Sequence, residues 1–453
     1  MERLFKLKER GTNIQTEILA GITTFITMAY VLAVNPNILS ASGMDKGAVF
    51  TATALASAIA TFIMALLANY PIALSSGMGL NAYFAYTVCL GELSDVPDPW
   101  TIALTAVLVE GIIFIILSIF KFRESIVNSI PQNLKHGISA SIGLFIAFIG
   151  LQGADIVVSD SSTLVKLGDF SNPSFVLCLV GIIIIAIMNH YKIKGSILWG
   201  ILATWILGII AELSGWYVVD IDAGIYSLIP QFSASSFIPP SIAPTFIKFN
   251  FPWLSKHLIE FLSITFSFLF VDMFDTIGTV IGVAEKTNLL DKNGNLPKVG
   301  RVLMADALGT TIGACLGTST ITSYVESSAG VAQGGKTGLT SISTGTMFLI
   351  ALFLSPVFLA IPSFATAPAL IIVGMYMITS ITKMSFSNDT ADSVGGYLAI
   401  IMMVLTYSIA NGIMFGILSW IIIKLFTGKI KEIHPIMYII GILFLIRIIT
   451  LVI

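Results

Sequence analysis

The sequence predicts an all-α polytopic membrane protein of about fourteen transmembrane helices in two seven-helix inverted repeats. Three observations carry that expectation. The chain is 56% hydrophobic and 11% charged, with a mean hydropathy of +0.94, whereas soluble domains carry roughly 25% charged residues. Apolar runs near the roughly 20 residues that a bilayer-crossing helix needs recur from end to end. Lys and Arg gather in short loops, Arg3–Arg10, Lys121–Lys135, Lys192–Lys194, Lys286–Arg301 and Lys429–Lys431, which the positive-inside rule assigns to the cytoplasm.

Taken in order, the N-terminus MERLFKLKERGTNIQTE is basic, polar and followed by a full-length span with no small-residue cleavage site. No removable signal peptide is expected, and this end stays cytoplasmic. Spans follow at 16–38, 47–69, 72–90, 100–120, 137–154, 172–190 and 196–213, with GELSDVPDP at 91–99 and the Pro- and aromatic-rich 213–257 stretch facing outside. The second set lies at 258–284, 299–316, 318–331, 339–361, 364–381, 393–410 and 411–427. A last apolar run at 434–453 fits either a span or a membrane-surface tail, and its Arg447 does not decide between them. No soluble domain is left over, and nucleic-acid binding has no footprint. Cys89, Cys178 and Cys315 lie far apart within apolar runs, which points to packing rather than a disulfide framework or a metal site.

Two spans make poor continuous helices. The third, IALSSGMGLNAYFAYTVCL, opens with Ser75, Ser76, Gly77 and Gly79; the tenth, TSTITSYVESSAGV, opens as a β-branched polar run and carries Glu326. Interrupted hydrophobic segments at corresponding places in two halves mark a transporter site. The separation of these two is an odd number of spans, so the halves insert with opposite orientation. Ile130-Pro131 before the fifth span and Ile361-Pro362 before the twelfth echo each other weakly.

Acids inside apolar spans are the informative minority, because a mid-bilayer charge costs about 3 kcal/mol on insertion scales. They are Glu110, Asp272, Asp275, Asp306 and Glu326. Asp272 and Asp275 are three apart on one helix and so share a face; two neighbouring buried carboxyls split their titration, which is the chemistry of proton coupling. The plainer role for any of these acids is to staple helices through Thr, Ser or backbone donors. If the two breaks meet at mid-membrane, Asn81 and Glu326 flank a cavity that offers both donors and acceptors, where Phe25, Tyr83, Phe84 or Phe274 can stack on a planar ring. Such a set suits a small flat heteroaromatic molecule. An inorganic anion wants Arg or Lys, and neither occurs in these segments.

The stretch GVAQGGKT at 330–337 matches the phosphate-binding pattern G-x-x-x-x-G-K-[ST]. Its setting is wrong: it follows the polar interrupted segment rather than a buried strand, and it leads into a membrane span. It reads as a glycine-rich cytoplasmic connection between the tenth and eleventh spans.

The segments TTFITMAYVLAVNP (23–36), SSGMGLNAYFAY (75–86), FVDMFDTIGT (270–279), the Asp306 segment, TSTITSYVESSAGV (318–331) and GGKTGLTS (334–341) together closely resemble the AzgA-like purine permeases of the nucleobase and ascorbate transporter superfamily. The resemblance covers nearly the whole chain. It implies a cytoplasmic N-terminus (1–15), a core domain (16–120 and 258–361) moving against a gate domain (121–213 and 362–427), an extracellular loop (214–257), and a basic loop with an apolar C-terminal segment (428–453). It also implies a purine nucleobase held between the third and tenth spans by Asn81, Gly79, Asp272, Asp275, Glu326, Phe84 and Thr27. Asp272, Asp275, Asp306 and Glu326 would carry the coupled proton; that the ion is a proton rather than sodium rests on the resemblance alone. No metal or other cofactor is implied. The partners implied are the purine, membrane lipid and a second copy of the chain through the gate domain, in the plasma (inner) membrane. Uracil and xanthine members look like E-x-I-G where this chain reads Asp275-Thr276-Ile277-Gly278, and the shorter aspartate should suit a larger ring. Members of the family divide between adenine and the oxopurines, and guanine and hypoxanthine are the expectation here. The competing expectations are an anion exchanger of the same fold, which predicts a basic residue where Glu326 stands, and an intramembrane hydrolase using Asp272 and Asp275. The hydrolase lacks the G-x-G-D signature, and His136, His190, His257 and His434 all sit at span ends or in loops.

Overall fold

The computed structural model describes residues 2–120, 129–219, 226–230, 234–286, 297–386 and 389–452; the side chains at 2–3, 234–235, 274, 277–278, 281–282, 284–286 and 450–452 lie outside the described set. Parts of two expected cytoplasmic loops, 121–128 and 287–296, fall outside it as well. Among the described residues, ten helices are long and apolar enough to cross a membrane. The protein is a mostly helical, multi-pass membrane protein.

The first apolar run folds as α1 (Ile14–Met28) and α2 (Val31–Ser40), and α3 (Lys46–Leu67) follows. The third run is broken: strand β1 (Leu74–Ser76) gives way to α4 (Met78–Ala82), which continues in wider π-type turns over Tyr83–Glu92. Next come α5 (Pro99–Ile119), α6 (Gln132–Gly153), a surface hairpin of β2 (Val157–Asp160) and β3 (Leu164–Leu167), α7 (Pro173–His190) and α8 (Ser196–Leu213). The second half opens with α9 (Leu258–Lys286) and α10 (Val299–Leu316) and breaks in its turn at β4 (Ile321–Ser323), which leads into α11 (Ser327–Ala332). It closes with α12 (Gly338–Ala351), α13 (Ser363–Ile378), α14 (Thr390–Leu405), α15 (Ile409–Phe426) and α16 (Pro435–Val452). Short polar residues placed before the apolar runs start these helices. The side chains of Asn13, Asp45, Asn172, Thr337, Asp389 and Ser408 each accept a hydrogen bond from an otherwise unpaired first-turn amide.

Helix packing falls into two groups. In one, α3 and α10 lie together, with α12 against α1 and α3 and with α5 against α10; in the other, α6, α7, α8, α13, α14 and α15 pack among themselves. Lipid gives apolar helices no reason to associate, so close contact depends on small residues. At the α6–α13 crossing a Cβ on Gly143 would lie 2.6 Å from the Gly374 carbonyl oxygen, and one on Gly374 2.3 Å from that of Gly143. Only glycine lets the two backbones meet there.

The segment at 434–453, whose placement the sequence left open, forms α16 against α15 and α9. Arg447 is 1% exposed; its Nη2 donates to Glu92 Oε1 at 2.6 Å and its Nη1 to Ser267 Oγ at 2.7 Å. A buried guanidinium persists only when paired, and these partners tie the C-terminal helix to the end of the broken third run and to α9.

Candidate functional site

The two interrupted segments meet. β1 and β4 pair antiparallel, with Leu74 opposite Ser323, Ser75 opposite Thr322 and Ser76 opposite Ile321. Gly77 N–H donates to the Thr320 carbonyl at 3.1 Å, and Tyr324 N–H to that of Ala73 at 3.0 Å. Pairing of this kind satisfies backbone groups that a broken membrane helix would leave exposed. β-branched Ile321 and Thr322 favour the extended form, while Ser75, Ser76 and Ser323 add hydroxyls. Gly77 holds the turn open: a Cβ there would lie 2.6 Å from Thr322 Cγ2.

Beside this crossing lies a cavity of about 600 Å³ whose walls include Thr27, Tyr30, Gly79, Asp275, Tyr324 and Glu326. Asp275 and Glu326, from α9 and from the turn before α11, are its two acids among the described residues. The Tyr30 hydroxyl donates to Glu326 Oε1 at 2.8 Å. Thr27 lines the wall but donates its own hydroxyl to the Thr24 carbonyl at 2.7 Å. Gly79 lines it where a Cβ would press on Ile142 Cγ2 at 3.0 Å.

Other residues singled out from the sequence sit elsewhere. Asp272 is fully buried behind the wall, so sharing a helix face with Asp275 does not give it the same surroundings. Thr276 Oγ1 lies 3.1 Å from Asp272 Oδ1, 2.9 Å from Asp306 Oδ2 and 3.1 Å from Thr322 Oγ1, which gathers both carboxyls around one hydroxyl. Asn81 is buried outside the lining; its Oδ1 accepts from Ser76 Oγ at 2.7 Å and from Ser319 Oγ, stitching the two broken segments together. Glu110 accepts from Thr320 at 3.1 Å and ties α5 to the same region. Phe84 is fully buried against Phe268, Tyr83 also packs on Phe268, and Phe25 packs on Phe348, so these rings are core contacts. The side chain of Phe274 lies outside the described residues.

Among the described residues, the aromatic rings on the cavity wall are Tyr30, Tyr324 and Tyr376. The first two lie in the quoted segments MAYVLAVNP and TSYVESS, the second only two residues before Glu326. That adjacency was a usable signal.

The P-loop-like stretch has its own anion. Glu17 of α1, fully buried, accepts from the amides of Lys336 (2.9 Å), Thr337 (3.2 Å) and Thr340 (3.2 Å) and from the hydroxyls of Thr337 (2.8 Å) and Thr340 (2.6 Å). The amides that a nucleotide-binding loop would turn on a phosphate are thus aimed at a carboxylate from the same chain.

The family model described as a Permease family matches residues 15–415. The guanine/hypoxanthine permease PbuO of Bacillus subtilis is 43% identical, over 99% of this chain and 100% of its own length. The adenine permease AdeP of Escherichia coli is 37% identical, over 99% of this chain and 96% of its own. Among solved structures, the transmembrane domain of the cyanobacterial bicarbonate transporter BicA superposes with a TM-score of 0.65 at 16% identity, covering 88% of this chain and 97% of that one. At that identity the likeness is one of fold.

Proposed function

The chain belongs to the Permease family and is a transporter rather than an enzyme, and from that premise we propose that it takes up purine nucleobases, guanine and hypoxanthine in preference to adenine, in symport with protons. The observation that carries the reading is the pairing of Asp275 and Glu326 on one aromatic-walled cavity beside the β1–β4 crossing. Guanine and hypoxanthine carry an N–H at ring position 1, and guanine adds an amino group beside it; adenine has an acceptor there. A carboxylate accepts from the former and repels the latter. A second carboxylate suits the imidazole N–H that a free base retains. The acids also oppose an anion exchanger of this fold, because an anion held beside the β1–β4 crossing would meet negative charge there.

Hydrogen-bond counting supports the proton. The Thr276 hydroxyl has one hydrogen and lies within bonding distance of Asp272 and Asp306. For both contacts to be hydrogen bonds, one carboxyl supplies the second hydrogen. A proton stored behind Asp275 is then released or retained as the site fills and empties. The fourteen spans form two inverted repeats in this account, with the α1-to-α5 and α9-to-α12 region as the core that moves against the rest, and substrate and proton together favour the crossing. With the N-terminus cytoplasmic, the positive-inside rule turns the part of the cavity wall that carries Lys192, Lys194 and Lys383 toward the cytoplasm of the inner-membrane protein. Uptake of labelled hypoxanthine, guanine, adenine and uracil by expressing cells, with and without a protonophore, tests the reading. Accumulation of the oxopurines that collapses with the protonophore is expected; failure to accumulate any purine would sink it.

A further inference from the structure

Beyond the base, the same cavity holds an arrangement that base transport does not require. Its charged lining among the described residues consists of the two acids, Asp275 and Glu326, and three exposed lysines, Lys192, Lys194 and Lys383. The two signs are segregated. The acids come from α9 and from the turn before α11, at the β1–β4 crossing; Lys192 and Lys194 come from the α7–α8 connection and Lys383 from the short turn that ends α13. A neutral nucleobase offers an ammonium group ring nitrogens and a carbonyl oxygen, but no anionic group to match three lysines. The volume of about 600 Å³ would hold about twenty waters at about 30 Å³ each, which is much more than one bicyclic ring fills. Asn189 and Ser196 add polar groups to the lining, with Ser196 Oγ donating to Asn189 Oδ1 at 2.5 Å.

We infer that the cavity also binds purine nucleoside 5′-monophosphates, with the base at Asp275 and Glu326, the ribose along the Asn189 and Tyr376 wall and the phosphate among Lys192, Lys194 and Lys383. The proposal rests on the purine reading above and assigns the site a regulatory ligand: the anionic form that a base takes once it has received a phosphoribosyl group. Lysine is a point-charge partner for phosphate, and three ammonium groups offer donors to each of its oxygens. The ligand would touch both helix groups at once. Because transport moves one group against the other, such a bridge holds the cavity in its present form. The nucleotide is therefore an inhibitor and not a passenger, and it slows uptake when the cell already holds the product. Lys194, which donates to Gln333, exchanges that contact for the phosphate.

The test is competition against labelled hypoxanthine on the purified, detergent-solubilised full chain, using inosine, inosine 5′-monophosphate, ribose 5-phosphate and inorganic phosphate as competitors. The monophosphate should compete at about tenfold lower concentration than the nucleoside, while the two base-free phosphates compete weakly. In the K192A/K194A/K383A variant the ratio of nucleotide to nucleoside affinity should fall to about one. If that variant does not fold, raising the salt to near 1 M, where the Debye length is about 3 Å, should remove the advantage of the nucleotide alone. Equal competition by nucleotide and nucleoside, or an advantage that survives both the lysine substitutions and salt, overturns the inference. Loss of hypoxanthine binding itself in the unaltered protein would instead overturn the purine reading, so the two failures are distinguishable.

Discussion

The hydroxyl of Tyr30 stands 2.8 Å from Oε1 of Glu326, joining the bend between α1 and α2 to the turn before α11 across 296 positions of sequence. It fixes one oxygen of the carboxylate at the cavity wall. A neutral donor on a charged acceptor contributes about 1.5–3 kcal/mol. Tyr30→Phe should therefore raise the KM for hypoxanthine by roughly tenfold at unchanged expression, as read from initial uptake rates.

In the proposed reading Asp275 and Glu326, the two acids on the cavity wall among the described residues, meet the base. Asp275→Asn and Glu326→Gln should each lower uptake by about 100-fold, the scale of one lost charge-assisted hydrogen bond. Asn81→Ala is expected to behave differently. Its Oδ1 serves Ser76 and Ser319 rather than the cavity, so the loss should appear first as lower thermal stability in detergent. Normal stability with abolished uptake would move Asn81 back into the binding set.

Thr276 tests the stored proton. Thr276→Val keeps the shape and removes the hydroxyl between Asp272 and Asp306. Equilibrium binding of hypoxanthine should survive, while the accumulation ratio under an imposed proton gradient falls toward one. Accumulation equal to that of the unaltered protein would separate Thr276 from coupling.

Glu17 is a buried carboxylate with five donors from one short stretch. Glu17→Gln turns part of that acceptor into a donor facing other donors, so the apparent melting temperature should fall by several degrees. Added ATP should shift the melting temperature of neither protein. A nucleotide-dependent rise would revive the P-loop reading that the geometry opposes.

At the start of α14, Asp389 lies 2.9 Å from Lys424 Nζ and 2.5 Å from Lys429 Nζ, and these ammonium groups hold its carboxyl below the usual carboxylate range. A depressed folded value means that the pair stabilises the protein above the ordinary Asp range near 3.8, and that the contribution is lost as pH falls through the lower folded value. Stability should accordingly be insensitive to this group between about pH 5 and 8. Asp389→Asn should lower the melting temperature there by a constant amount, and a difference that varies across that range would contradict the assignment.

Hydropathy made the apolar elements legible because a helix long enough to cross a bilayer must be apolar along most of its length, and the broken third and tenth runs announced themselves through serines, glycines and β-branched residues. What lay beyond the sequence was long-range. Helical spacing put Asp272 and Asp275 on one face, but the neighbours that separate their surroundings, Asp306 and Thr322, belong to α10 and β4. Asn81 read as a ligand because its partner Ser319 is 238 positions away. Phe84 is covered by Phe268 of α9, a contact that local sequence does not show, while nothing in the span pattern distinguishes Tyr30, Tyr324 and Tyr376 from other span residues. The GVAQGGKT pattern gave no hint that its anion would be Glu17, from the first span.

The central claim, a purine carried together with a proton, is tested most directly in proteoliposomes containing the purified chain and an internal pH dye, with no imposed ion gradient. Adding hypoxanthine outside should acidify the interior, and Asp275→Asn should abolish the response. Entry of labelled hypoxanthine without any change in internal pH would contradict the account.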